Sequence, residues 1–272
     1  MTLSKHVLFL KLGLSLCASG VIGIALISKR ILPLYKDLAA SAYANSSIFF
    51  QTIPAHVYAP FLSAAASLLF ALSFLILIFY FFEKTQSMEI RFLSVFVFTL
   101  FFEVLRTIIP ITQVVNLPLF YIDISARLLI FTRFLGVFSI FAASLFVSGL
   151  KQQKEESIMI PAFIIAALIA LRVPIDVFSW DTSLAANYGY KMMFRLFEVL
   201  VVLIAFSNFI VGAYLRSAKT YIKIGFGILA AFFGRTLLIY ASFNVEAFAG
   251  FILLCASCFY SGVHLRRMYL WL

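Results

Sequence analysis

The chain has 272 residues, of which 64% are hydrophobic and 12% charged, with a mean hydropathy of +1.09 and a formal net charge of +10. So little polar surface cannot cover a soluble domain, and the composition defines a polytopic membrane protein. Apolar runs of about 20 residues, the length a helix needs to cross ~30 Å of hydrocarbon, recur along the chain; they are continuous runs and not the short alternating strands of a barrel.

In chain order, the hydropathy pattern predicts an all-α bundle of about eight transmembrane helices, near 7–28, 57–82, 91–114, 119–149, 158–178, 190–214, 220–242 and 246–263. Residues 1–56 read as an N-terminal anchor helix followed by a short extracytoplasmic or interfacial segment, and residues 57–272 as a seven-helix bundle. The segment Ile31 to His56, with Pro33 and Pro54 near its ends, is the only loop long enough to cap the bundle. Leu14 to Cys17 resembles a lipoprotein cleavage box. Leu16 is too large for one and Lys11 interrupts the apolar region, so an uncleaved anchor is expected.

Orientation follows from basic residues in the short loops. Lys5, Lys84, Arg91, Lys151, Lys154, Arg216, Lys219, Lys223, Arg266 and Arg267 fall on one side of an eight-span topology, while the opposite loops carry Asp181 and Glu246. Lys29, Arg30 and Lys36 oppose this assignment and are outnumbered. The expectation is a bacterial inner-membrane protein with both termini cytoplasmic, its net charge meeting anionic lipid and not nucleic acid.

The last six spans contain a repeat. Ser144-Leu-Phe146-Val-Ser-Gly149, Ser207-Asn-Phe209-Ile-Val-Gly212 and Ser257-Cys-Phe259-Tyr-Ser-Gly262 share S-x-F-x-x-G, each closing an apolar run before a basic loop. The preceding helices carry Arg106, Arg172 and Arg235 toward their outer ends. Three parallel helical hairpins are implied, with the serines and glycines expected to allow close helix packing.

The charges inside the spans carry the functional signal. Arg106, Arg127, Arg133, Arg172, Arg195 and Arg235 are all expected in the outer half of the bilayer, where an arginine costs roughly 2.5–3.5 kcal/mol and demands a partner, water or ligand. Four acidic residues stand at helical spacing from four of them: Glu103 from Arg106, Asp123 from Arg127, Asp176 from Arg172 and Glu198 from Arg195. Arg133 and Arg235 lack such a neighbour. They are therefore the expected contacts for an anion, with the four pairs shaping the wall of an outward-facing cavity, since guanidinium matches carboxylate and phosphate through paired hydrogen bonds. The bland reading is a set of salt bridges that fix helix packing, with Arg127 and Arg195 snorkelling to the interface.

No catalytic or cofactor motif is present, and no metal site or cofactor is expected. His6, His56 and His264 are not at metal-ligand spacing, and Cys255-Ala-Ser-Cys258 lies in an apolar helix where cysteine is a small packing residue. Three function classes remain: a transporter or receptor for an anionic small molecule or lipid headgroup; a non-catalytic subunit that assembles a larger membrane complex with a membrane or cytoplasmic partner; and an enzyme acting on lipid-linked phosphate. The layout of an anchor helix, a short outer segment and seven further helices is similar to that of bacterial seven-helix sensor proteins. Those carry larger extracytoplasmic and output domains, and no motif is shared, so no residue role is carried over.

Overall fold

The computed structural model describes residues 3–44, 58–82, 87–150, 152–181 and 183–270. These form nine α-helices and one two-stranded hairpin: α1 Leu3–Ala44, α2 Tyr58–Phe82, α3 Met88–Thr99, α4 Ile108–Val115, α5 Phe120–Val147, α6 Glu155–Arg172, β1 Ile175–Trp180, β2 Ala186–Tyr188, α7 Lys191–Leu215, α8 Thr220–Ile239 and α9 Asn244–Leu270. A 3₁₀ stretch, Leu100–Thr107, joins α3 to α4 without a break, so Met88–Val115 is one span. Helices dominate because a backbone in hydrocarbon must satisfy its own hydrogen bonds.

Among the described residues, seven helices are long and apolar enough to cross a membrane. The eighth, α6, has 18 residues, about 27 Å at 1.5 Å per residue, and its charges Glu155, Glu156 and Arg172 stand at its ends. The predicted spans agree with α2, α3 to α4, α5, α7, α8 and α9 to within a few residues, except that α9 continues to Leu270. Lys84, Lys151 and His56 of the predicted loops, and the side chains of Lys5 and Lys36, lie outside the described residues.

Six spans close on one another. The α3–α4 span packs on α2 and α5, α5 on α7, α7 on α8, α8 on α9, and α9 returns to α2. The α8–α9 pair is the tightest because glycines let backbone meet backbone: a Cβ on Gly234 would stand 2.7 Å from the Leu254 nitrogen, and one on Gly250 3.0 Å from the Gly234 oxygen. α1 lies outside against α2 and the 3₁₀ stretch, and α6 lies outside against α5.

Two expectations are corrected. α1 runs unbroken from Leu3 to Ala44, through Pro33, so the interfacial segment expected from Ile31 is helical as far as Ala44. Residues 45–57 lie outside the described residues. The span expected over 158–178 ends at Arg172. Val173 turns extended (ψ 125°) ahead of Pro174, whose ring disfavours a helical residue before it, and Ile175–Trp180 pairs antiparallel with Ala186–Tyr188. Gly189 closes the base of this hairpin, donating its N–H to the Pro174 carbonyl (2.9 Å), and a Cβ there would lie 2.8 Å from the proline ring. Trp180, Leu184 and Ala186 bury against Tyr35, Phe61, Ile109, Ile122 and Ala126, so the hairpin covers the end of the bundle that the loop at 31–56 was expected to cap.

Candidate functional site

The 3₁₀ stretch organises the charges. At three residues per turn, positions three apart eclipse, and Leu100, Glu103 and Arg106 form one buried row facing the ring of helices. An α-helix would rotate Arg106 away from that row by about 60° relative to Glu103 over three residues. Eight consecutive 3₁₀ residues are uncommon, and in mid-span such a stretch marks a hinge or a sequence under strain.

Glu103, 1% exposed, is the anion at the centre. Arg133 of α5 binds it with a two-pronged fork, Nε to Oε1 and Nη2 to Oε2, both at 3.1 Å. Arg106 adds its Nε at 3.1 Å from Oε2. The rest of the Arg106 guanidinium staples three other segments: it donates to Ser63 Oγ of α2 (3.2 Å), to the Ile239 carbonyl at the end of α8 (3.0 Å) and to the Ser183 carbonyl of the hairpin turn (3.4 Å). Charge-assisted bonds of this kind recover the large cost of burying the ions only when every donor is used.

Arg235 of α8 is different. It is 2% exposed and donates Nη2 to the Arg133 carbonyl (3.1 Å), while its Nε is buried without a partner. Its guanidinium lies over Phe96 (5.6 Å to the ring centre) and against Gly136 of α5, where a Cβ would stand 2.7 Å from Nη1. The half-buried Glu198 of α7 interacts electrostatically with Arg235, Arg133 and Arg195, and is the second carboxylate in the group. Arg106, Arg133, Arg195 and Arg235 thus face Glu103 and Glu198, four guanidiniums against two carboxylates.

Toward the hairpin the cluster meets Tyr240. Arg195 stacks on its ring at 3.8 Å, with Lys191 at 5.8 Å and Arg133 at 5.9 Å from the same ring centre. Tyr188 of β2 interacts with the Tyr240 hydroxyl, and burial pushes the Tyr188 phenol above its ordinary pKa, which keeps it a neutral hydrogen-bonding group. Lys191 also pairs with Asp181 of the hairpin turn.

The six arginines singled out from the sequence therefore divide. Arg106, Arg133, Arg195 and Arg235 converge with Glu103 and Glu198. Arg127 does not join them. It pairs with Asp123 (3.0 Å), as the spacing predicts, and donates to the Ala170 and Leu171 carbonyls (3.2 and 2.8 Å), capping α6 and fixing it to α5. Arg172 is exposed at the last residue of α6, and Asp176 lies in β1, where it accepts from Ser179 Oγ (2.6 Å) and the Phe178 N–H (3.0 Å). The helical spacing expected for that pair does not exist, because the helix stops between the two. Arg195 stacks on the Tyr240 ring, and Glu198 lies in the field of Arg235 and Arg133 as well as of Arg195. Arg133, which has no acid at helical spacing, takes Glu103 from another helix, 30 residues away.

Sequence reasoning did not find Tyr240, Tyr188, Ser63 or Gly136, because serines, tyrosines and glycines are common throughout the spans and these four are set apart only by long-range contacts. Burial of titratable groups reaches the basic end of the bundle as well. There Arg91 of α3 pairs with Glu155 of α6 (3.0 Å), and Arg216, just past the end of α7, pairs with Glu89 of α3 (3.7 Å) and donates to the Phe146 carbonyl (2.7 Å).

Fold and site together define a polytopic α-helical membrane protein with a buried arginine–glutamate cluster shared by its helices. No protein-family model, no curated protein and no solved structure matches the chain significantly.

Proposed function

We propose that this is an integral membrane protein that binds or transports an anionic small molecule or a lipid headgroup at an arginine-rich site near the hairpin-capped end of the bundle. The observation that carries this reading is Arg235, a guanidinium 2% exposed that has one hydrogen bond, to a backbone carbonyl, and a buried Nε without a partner. A buried cation with unused donors, in a group whose positive charges outnumber its negative ones, is completed by an anion. In this reading Arg133 and Arg106 are tied to Glu103 and hold the wall, Arg235 contacts the anion, and Arg195 and Lys191 on Tyr240 stand at the mouth. The 3₁₀ stretch supports transport or signalling over a static role, since interrupted helices beside a buried charge are a common device of transporters.

The same reading takes the protein to the bacterial inner membrane with both termini cytoplasmic. It also takes the last spans as three parallel hairpins, α3–α5, α6–α7 and α8–α9. The first and third pairs are packed along their length; α6 leans on α5 instead. That splayed pair favours a second reading, a non-catalytic subunit of a larger complex. A crevice of about 400 Å³ opens between α5, α6 and α7, lined by Phe138, Pro161, Ile165, Phe197 and Val201, and a partner helix would fill it.

The test is the thermal stability of detergent-purified protein against a panel of carboxylates, phosphates and phospholipids. A ligand at one hundred times its dissociation constant adds about 2.7 kcal/mol of stability. One anion should shift the wild type, Arg235→Ala should abolish the shift, and Glu198→Gln, which removes a competing carboxylate, should enlarge it. Absence of a shift from every anion, with Arg235→Ala simply less stable than wild type, would overturn the proposal.

A further inference from the structure

At the opposite, basic end of the bundle a second feature combines an apolar crevice with a cation that no described carboxylate pairs. Between α2 and α9 a crevice of about 380 Å³ is walled by Phe70, Phe74, Leu77, Phe251, Ala256 and Phe259. Its volume lies within the range of small-molecule sites. Ser73, the hydroxyl on its wall, is spent on the Leu69 carbonyl of its own helix (2.6 Å), so the lining is apolar in effect.

Helical periodicity carries both walls to one point. On α2 the stripe Phe70, Phe74, Leu77 continues to Phe81, and on α9 the stripe Cys255, Phe259 continues through Gly262 to Arg266. Arg266 stacks on Phe81 at 4.3 Å, and the exposed Tyr80 meets Phe81 edge to face at 5.0 Å. Gly262 keeps the path between crevice and arginine open. A Cβ there would find one neighbour, the Phe74 ring edge at 3.9 Å, whereas the corresponding Gly212 is pressed onto Val147. Among the described residues no carboxylate pairs with Arg266, and the cations Lys223 and Arg267 lie close to His264, two residues before it.

We infer that this crevice is a binding site for one anionic diacyl phospholipid at the basic end of the bundle, with an acyl chain between α2 and α9 and the phosphate on Arg266. The argument is charge complementarity at a fixed distance. Arg266 lies seven residues beyond Phe259, about 10 Å along the helix, which sets a headgroup at the interface while its chain lies in the crevice. An aromatic–arginine pair at the headgroup level and an apolar slot above it recognise a lipid and not a soluble phosphate. This site is separate from the Arg235 cluster and does not depend on it.

The experiment is native mass spectrometry of the full-length detergent-purified protein with dioleoyl phosphatidylglycerol, dioleoyl phosphatidylcholine and soluble glycerol phosphate. Phosphatidylglycerol should bind with one-to-one stoichiometry and in preference to phosphatidylcholine, and glycerol phosphate should not compete. Arg266→Gln should lower the affinity for phosphatidylglycerol about tenfold, the value of one charge-assisted bond, while Arg266→Lys retains part of it. Ala256→Phe, at an exposed position, should fill the slot and lower the affinity for both lipids; Gly262→Val serves as a second block at the other end. Equal binding of the two lipids, efficient competition by glycerol phosphate, or unchanged binding in both blocking variants would each overturn the inference.

Discussion

The two ends of the bundle use the same pair of residues to different effect. At the basic end two arginines each pair with a different glutamate, Arg91 with Glu155 and Arg216 with Glu89. In the cluster near the hairpin, Glu103 alone is bound by Arg133 and Arg106, with Arg235 packed on the Arg133 carbonyl. Balanced pairs are what helix packing requires. An excess of buried cations is what packing would avoid, and the proposed ligand rests on this difference between the two regions.

The largest way to break that comparison is Glu103→Gln. The change leaves two guanidiniums without their common anion in a site 1% exposed, and removal of one member of a buried ionic group costs about 3–5 kcal/mol. The variant should lose most of its folded yield. Glu155→Gln acts on a pair whose side chains are 7% and 11% exposed at the end of the bundle, so its cost should fall between the buried and surface cases, about 1–2 kcal/mol. Thermal melts of both variants decide the matter: equal cost would mean that the two clusters differ in number of charges only and not in depth.

A smaller effect sharpens the comparison. Gly136→Ala would bring a Cβ to within 2.6 Å of Thr99 Oγ1 and 2.7 Å of Arg235 Nη1. Overpacking of this kind costs about 1–3 kcal/mol, against the ~0.5–1 kcal/mol that alanine gains over glycine in a helix. The displaced group is the arginine proposed to bind the anion, so ligand response should fall further than stability does. A variant that melts lower yet keeps the full ligand shift would separate Arg235 from the site.

These residues also show what could be read in advance. The membrane class, the helical spans and the Glu103–Arg106 and Asp123–Arg127 pairs follow from hydropathy and i, i+3 or i, i+4 spacing, which are local properties. The partner of Arg133 is not local: it lies on another helix and depends on the 3₁₀ stretch that eclipses Glu103 with Arg106. The pattern S-x-F-x-x-G shows the same limit. Its three glycines do different things: Gly149 takes φ +111° to end α5, Gly212 lets α7 approach the Val147 backbone, and Gly262 meets only the Phe74 ring edge, at ordinary contact distance. The span expected over 158–178 ran through Pro174, whereas the helix stops at Arg172. The hairpin beyond it was hidden because Ile175, Val177 and Phe178 extend the apolar run of the helix before it.

The smallest expected effect lies in that hairpin and is a question of pH. The carboxylate of Asp176 is held below the usual aspartate range, first by the hydroxyl of Ser179 and then by the Phe178 N–H. A carboxyl with a depressed folded-state pKa contributes stability that is fully present above its unfolded value, about 3.9, and is lost as pH falls through the lower, folded value. Because Asp176 is exposed, the change should be confined to the hairpin. Trp180, 6% exposed in the same strand, reports it, and a Trp271→Phe background removes the chain's other tryptophan. Its fluorescence should respond to acid below the ordinary aspartate range, Asp176→Asn should erase that step, and the main melting transition should not move between the two proteins. A step that survives Asp176→Asn would separate the acid sensitivity from Asp176 and its bonds to Ser179 and Phe178.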